Sequence, residues 1–144
     1  MNAGTPSSIP ERPVREIIAD FLAAGPYAVV GASNDRMKYG NRVLRAYQHK
    51  GWKVYPVNPR EPSIEGLVAF PDLKSLPETA RGVSIITPPK VTERVVVEAA
   101  GAGARFVWMQ PGAESPEAIR LAREHGLEVI ADGSCFLVET RFTG

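Results

Sequence analysis

The sequence predicts an α/β fold: a doubly wound parallel sheet of five main strands with a helix ahead of the first strand. Three observations carry that prediction. Short apolar runs recur at 27–30, 53–57, 83–86, 105–109 and 127–130. Most of the stretches between them have helical spacing. The first run breaks at once into a small-residue loop that opens a helix, as the first strand-to-helix turn of such a sheet does. Strands that are apolar throughout belong to a parallel sheet covered on both faces.

The elements follow in order. Residues 1–10 are small, polar and proline-containing, and are expected to form a flexible arm ahead of a single domain over 11–144. Val14, Ile17, Ile18, Phe21 and Leu22 lie on one face of a helix, with Pro13 suited to its first turn and Gly25-Pro26 ending it. Tyr27–Val30 is the first strand. A helix over Tyr39–Lys50 follows, with Val43, Leu44 and Tyr47 inward and Gly51 as its stop. The second strand spans 53–57 and ends at Asn58-Pro59. Residues 59–82 read as irregular, with a short strand at 67–69 and a weak helix near 72–76. The third strand, 83–86, is closed by Thr87-Pro88-Pro89, and a helix runs over 91–100. The fourth strand is 105–109. Ser115, Pro116 and Glu117 read as N-cap, first-turn proline and first-turn acid of a helix that stops at Gly126. The fifth strand is 127–130, and 134–140 is expected to add a short edge strand. Right-handed crossovers leave few strand orders. The order expected for these five Rossmann-like strands is 3-2-1-4-5, with the crevice at the carboxyl ends of the first and fourth.

Composition narrows the function. The chain has 144 residues, 44% hydrophobic and 23% charged, which suits one globular domain. Its net charge of +1, from 17 basic and 16 acidic residues, implies no broad basic surface for nucleic acid. Any anion site must therefore be local. Cys135 is the single cysteine, which fits a reducing, cytoplasmic setting. No signal peptide is expected from the first residues, and no run approaches a membrane span. No Cys/His cluster has metal-ligand spacing.

In the expected fold the loops that follow strands lie along one edge of the sheet: 31–40, 58–60, 87–90 and 110–114. All are rich in glycine, proline and short polar or basic residues. Every strand-to-helix loop needs turn residues, which is the competing explanation. The loops at the other edge, at Gly51, 101–104 and Gly126, are plainer. A G-x-G-x-x-G fingerprint would need glycine at 31, 33 and 36, but those positions hold Gly31, Ser33 and Arg36, and the next glycine is Gly40. Backbone N–H groups and a helix N-terminus still suit a phosphate there. A nicotinamide site usually has an acid at the tip of the second strand for the ribose hydroxyls. Here the tip reads Val57-Asn58-Pro59-Arg60. Arg60 suits a phosphate, unless it is only a solvated surface charge. An adenine nucleotide with an extra ribose phosphate, NADP or coenzyme A, fits this pattern.

Gly31-Ala32-Ser33, Val57-Asn58-Pro59, Thr87-Pro88-Pro89 and Gln110-Pro111-Gly112, in this order and spacing, resemble the coenzyme A-binding domain. That domain forms the N-terminal part of the succinyl-CoA synthetase α subunit and also occurs alone in small bacterial proteins of the YccU-like type. The resemblance covers about 17–139. It implies that Gly31, Ala32, Ser33, Lys38, Tyr39 and Gly40 line the pyrophosphate loop. It puts Asn58, Pro59 and Arg60 by the ribose phosphate, Thr87, Pro88 and Pro89 along the adenine and pantetheine path, and Gln110 and Gly112 at the pantetheine end. The synthetase adds a domain with a phosphorylated histidine, for which no counterpart is expected here. Stand-alone relatives often carry Asp-Arg-Cys near the C-terminus, where this chain has Asp132-Gly133-Ser134-Cys135.

Other reactive side chains point to little chemistry. His49 and His125 sit in last helical turns, where a cation is favoured. Cys135 is flanked by Phe136-Leu137-Val138, which suggests a buried, inert thiol. No paired general acid and base is visible. The expected function is a CoA- or acyl-CoA-binding protein without catalytic residues, with a homodimer or a protein partner left open. The alternatives are an NADP-dependent or acyl-CoA enzyme using Cys135, and a degenerate Rossmann domain that binds another protein. Dinucleotide dehydrogenases append a substrate domain, for which 144 residues leave no room. Bulk at Gly31 is expected to block a ligand while leaving the fold intact.

Overall fold

The computed structural model describes residues 12–144, so the arm expected over 1–10 lies outside the described residues. The elements are α1 (Val14–Leu22), β1 (Tyr27–Val30), α2 (Tyr39–Lys50), β2 (Val54–Val57), β3 (Ser63–Ile64), β4 (Leu67–Val68), β5 (Gly82–Ile85), α3 (Pro89–Gly101), β6 (Phe106–Met109), α4 (Pro116–Glu124), β7 (Glu128–Ile130) and α5 (Phe136–Glu139). Five strands form one parallel sheet in the order β2-β1-β5-β6-β7, and β3 and β4 pair as a separate hairpin. The fold is the Rossmann-like α/β sheet the sequence predicts. No helix among the described residues is long and apolar enough to cross a membrane.

Successive side chains of each strand point to opposite faces, and both faces are buried. Tyr27 and Val29 of β1 join one core, Ala28 and Val30 the other. Phe106 and Trp108 of β6 divide from Val107 and Met109 in the same way. The first core is closed by α1, α2 and α5 and is rich in aromatic rings. Phe21 meets Trp108 edge-on at 5.2 Å, and Tyr47 stacks on Phe136 at 4.1 Å. The buried polar tips are satisfied: the Tyr27 hydroxyl donates to the Phe21 carbonyl at 2.7 Å, and Trp108 Nε1 donates to the Ser134 carbonyl at 2.9 Å. The second core is aliphatic and is closed by α3 and α4.

The strand order corrects the expectation. In the numbering of the five predicted strands it is 2-1-3-4-5 rather than 3-2-1-4-5. Handedness explains why. A right-handed crossover that moves one way along the sheet covers one face, and one that moves the other way covers the opposite face. The β1-to-β2 crossover puts α2 on the aromatic face. The connection from β2 to β5 contributes Leu73 and Ala80 to the aliphatic core. It therefore moves back past β1, and β5 pairs with the free edge of β1, Tyr27 opposite Gly82. The strand sequence reverses direction between β1 and β5, and the crevice opens there.

Three local expectations also change. The strand at 67–69 is real as β4 but has a partner, β3, joined through Glu65 and Gly66 with φ of 50° and 80°. Two left-handed residues are what a tight two-residue hairpin needs. The weak helix near 72–76 is one 3-10 turn, Leu73–Ser75, capped by Asp72 Oδ1 at 2.9 Å. The edge strand expected over 134–140 is instead the short helix α5. An apolar run this short has no decisive period. Burial of Phe136 and Leu137 against the aromatic core selects helix, and Val138 is left 70% exposed.

Phe136→Ala should lower stability by about 3–5 kcal/mol in urea denaturation. Val138→Ala should change it by under about 0.5 kcal/mol. Equal losses would contradict the helical placement of this segment.

Candidate functional site

The carboxyl edge of the sheet is organised by close backbone contact at Gly31 and Gly40. Gly31 directly follows β1 with φ of +97°, and a Cβ there would lie 2.0 Å from the carbonyl oxygen of Ile86, the residue after β5. A Cβ at Gly40, in the first turn of α2, would lie 2.0 Å from the Gly31 carbonyl oxygen. Neither position has room for a side chain. The end of β1, the end of β5 and the start of α2 are thereby pressed together.

The loop between Gly31 and α2 is held by its own polar side chains. Ser33 Oγ accepts from the Asp35 N–H at 3.0 Å, and Asp35 Oδ1 accepts from the Met37 N–H at 3.0 Å. Asn41 Nδ2 donates to the Ser33 carbonyl at 2.9 Å, and Asn34 Nδ2 donates to the Ser63 carbonyl at 2.9 Å. Asn58 Nδ2 donates to the Ala32 carbonyl at 2.8 Å, while its Oδ1 accepts the Arg60 N–H at 2.7 Å. Asn58 thus ties the tip of β2 to the first loop.

On the α3 side a cleft of about 720 Å³ opens at the ends of β1, β2 and β5. Gly31, Asn58, Pro59 and Thr87 lie in its wall, with Lys74 and Arg94 further along. Lys38, Arg60, Lys74 and Arg94 have no carboxylate within ion-pair distance among the described residues. The acids of the same wall are engaged: Asp72 caps Ser75, and Glu98 Oε2 accepts the Leu73 N–H at 3.1 Å. The wall thus carries two cations free to meet a ligand and two acids held by backbone N–H groups.

The helix N-termini add to it. α2 and α3 start beside β1 and β5, and neither has a side-chain cap or an acid in its first turn. α4 differs: Ser115 Oγ accepts the Ala118 N–H at 3.0 Å, and Glu117 occupies the first turn. Two uncapped positive helix ends flank the β1/β5 crevice, where a phosphate is favoured.

A third group lies on the aromatic side. Gln110, fully buried after β6, accepts through Oε1 from the Tyr39 hydroxyl at 3.1 Å and the Phe136 N–H at 2.9 Å. The Tyr39 hydroxyl also contacts the Cys135 thiol. Burial, and then this contact, push the Tyr39 phenol well above its ordinary range, so it stays protonated. Cys135 is partly exposed rather than buried as expected.

The fold therefore gathers Gly31, Asn58, Pro59 and Thr87 in one cleft. Tyr39 and Gln110 form a separate cluster. Ala32 is buried, and Ser33, Lys38 and Gly40 belong to the loop and first turn between these two places. Pro88 caps α3 and Pro89 starts it. Arg60 is exposed beyond Pro59 and outside the cleft wall. Gly112 is exposed, and its N–H donates to Glu114 Oε1 at 2.7 Å. Sequence reasoning missed Lys74 and Arg94. Val91, Arg94, Val95 and Glu98 share one helical face, a spacing that placed Arg94 beside the expected loops. Lys74 sits in an irregular segment and gave no such signal.

The chain matches the family model of a CoA binding domain over residues 26–141. It is 28% identical over 124 residues to the alpha subunit of ADP-forming acetate–CoA ligase II from Pyrococcus furiosus, a match covering 78% of this chain and 27% of that protein. It is 30% identical over 105 residues to the uncharacterized protein YneT of Bacillus subtilis, covering 73% and 78%. Two further ligase relatives, from Archaeoglobus fulgidus, are matched over 18% and 20% of their length, so the chain spans about a quarter or less of the ligases it resembles. A conserved hypothetical protein from Pyrococcus furiosus has the same fold at a TM-score of 0.76 and 40% identity, covering 81% of this chain and 99% of that one. A hypothetical protein from Pyrococcus horikoshii OT3 reaches 0.84 at 29% identity, covering 90% and 91%.

The contacts at Gly31 revise one expectation. Gly31→Ala should destabilise the fold by more than about 2 kcal/mol, from positive φ and overlap with the Ile86 carbonyl together. Gly31→Val should cost more, not leave the fold intact. Gly112→Ala, also at positive φ but in open space, should cost about 1 kcal/mol. Thermal denaturation of the three variants checks the ranking, and a stable Gly31→Val protein would contradict it.

Proposed function

The chain belongs to the CoA-binding domain family, and on that premise we propose that it binds coenzyme A, free or acylated, at the carboxyl ends of β1 and β5. The observation that supports this most is the cleft that starts at Gly31 and Thr87 between two uncapped helix N-termini. The pyrophosphate sits at the first turn of α2, near Ser33, Lys38, Tyr39 and Gly40, where N–H groups and the helix dipole favour negative charge. The adenosine half occupies the cleft beside Asn58, Pro59, Thr87, Pro88 and Pro89. Its ribose phosphate is met by Arg60 at the mouth and by Arg94 and Lys74 within. Arginine suits that role because its forked N–H groups match phosphate oxygens in pairs. The pantetheine arm crosses the crevice toward Gln110 and Gly112.

The Asn58 amide is tied to the backbone through one N–H and its oxygen, and the tip of β2 offers no carboxylate to a ribose diol. That favours coenzyme A over NAD. The protein acts as a binding module in the reducing cytoplasm, with no reaction of its own.

Isothermal titration checks the assignment. Arg94→Ala and Arg60→Ala should each weaken coenzyme A more than dephospho-CoA, by on the order of tenfold, as expected for a lost hydrogen bond to a charged group. The difference should shrink as salt is raised. Equal weakening of both ligands would remove the ribose-phosphate role. Tighter binding of NAD than of coenzyme A by the wild-type chain would overturn the reading.

A further inference from the structure

The Tyr39, Gln110 and Cys135 cluster contains an unmet hydrogen-bonding group. Gln110 Nε2 is buried and has no partner, the only such side-chain atom among the described residues. Buried polar groups are nearly always paired, and leaving a donor unpaired costs about 1–3 kcal/mol. Rotating the carboxamide does not cure the defect. The Phe136 backbone N–H can only donate, at 2.9 Å, so the atom that faces it must be Oε1. Oε1 is further held by the Tyr39 hydroxyl at 3.1 Å. The orientation of the amide is therefore fixed, and Nε2 presents two N–H groups at the same end of the side chain.

The surroundings say what would suit it. Tyr39 comes from the first turn of α2, Gln110 from the end of β6, and Cys135 from the start of α5. All three lie at the carboxyl edge of the sheet, and Tyr39 and Cys135 are partly exposed. The proton of Tyr39 is directed to Gln110 Oε1, so the Cys135 S–H donates to the Tyr39 oxygen. No carboxylate or cation takes part in these contacts. A neutral site with a spare N–H donor and a polarizable thiol fits an uncharged carbonyl whose carbon is bonded to sulfur.

We propose that Gln110 Nε2, with Tyr39 and Cys135 beside it, receives the thioester carbonyl of an acyl-CoA, so that the protein distinguishes acylated from free coenzyme A. This rests on the coenzyme A reading above and deepens it. Gln110 is the specificity residue, and Tyr39 positions it by holding Oε1. Cys135 is a thiol neighbour, and no bond to the ligand is made or broken.

The test compares acetyl-CoA with S-ethyl-CoA, a thioether of nearly the same size that lacks the acyl carbonyl. Calorimetry should show acetyl-CoA binding about tenfold tighter to the wild-type chain. In ¹⁵N-labelled protein the Gln110 side-chain amide resonances should move with acetyl-CoA and stay in place with S-ethyl-CoA. Gln110→Met should abolish the preference, with acetyl-CoA losing about tenfold more affinity than S-ethyl-CoA. Tyr39→Phe should reduce it, and the wild-type spectra decide the matter if either variant fails to fold. Movement with both ligands would assign Nε2 to a pantetheine amide and overturn the proposal. Movement with neither would do the same, leaving a buried water as its partner. If coenzyme A and acetyl-CoA bind but are not distinguished, only this inference fails. If neither binds, the functional reading fails with it.

Discussion

At the carboxyl end of β1 the backbone of Gly31 lies against the Ile86 carbonyl, and the first turn of α2 lies against the Gly31 carbonyl through Gly40. Both contacts are too close for a side chain. Much of the described structure depends on them. They hold β1 beside β5 at the point where the strand order reverses, and they seat α2 directly over the end of its own strand. Because α2 starts there and α3 starts beside β5, the two uncapped helix ends converge on the crevice. The same glycines that resemble a phosphate-binding motif are thus first of all packing residues.

The sheet then separates two environments. The aromatic face, under α1, α2 and α5, ends at the edge in the neutral cluster of Tyr39, Gln110 and Cys135. The aliphatic face, under α3 and α4, ends in a cleft with unpaired cations and engaged acids. A ligand with a charged nucleotide head and a long neutral arm matches this division, and the crevice between β1 and β5 is where it would change faces. The electrostatics are local: in a chain of net charge +1 the cleft wall leaves Arg94 and Lys74 unpaired while Glu98 and Asp72 bond backbone N–H groups.

Much of this was legible in the sequence, and the failures have physical reasons. The five strands, α1, α2 and the Ser115 cap of α4 follow from apolar runs, helical spacing and turn residues that are strong local signals. The strand order was not legible, because it depends on which face the β2-to-β5 connection covers, and that segment has no helical period to reveal it. α5 was misread since Phe136-Leu137-Val138 suits strand or helix equally, and only packing of Phe136 on Tyr47 decides. At the site, loop chemistry pointed to Gly31, Asn58, Thr87 and Gln110. The meeting of Tyr39 with Gln110 and with Cys135 is long-range, across 71 and 96 residues of chain, and the unpaired Nε2 of Gln110 is visible only once they meet.

The central claim is that the ligand lies across the crevice between β1 and β5 rather than elsewhere on the molecule. Backbone amide chemical-shift mapping with coenzyme A tests it most directly. The account predicts shifts concentrated at Gly31, Tyr39, Gly40, Thr87 and Val91, on both sides of the crevice. Shifts confined to the opposite edge of the sheet, around Gly25, Trp52 and Lys53, or none at saturating ligand, would contradict it.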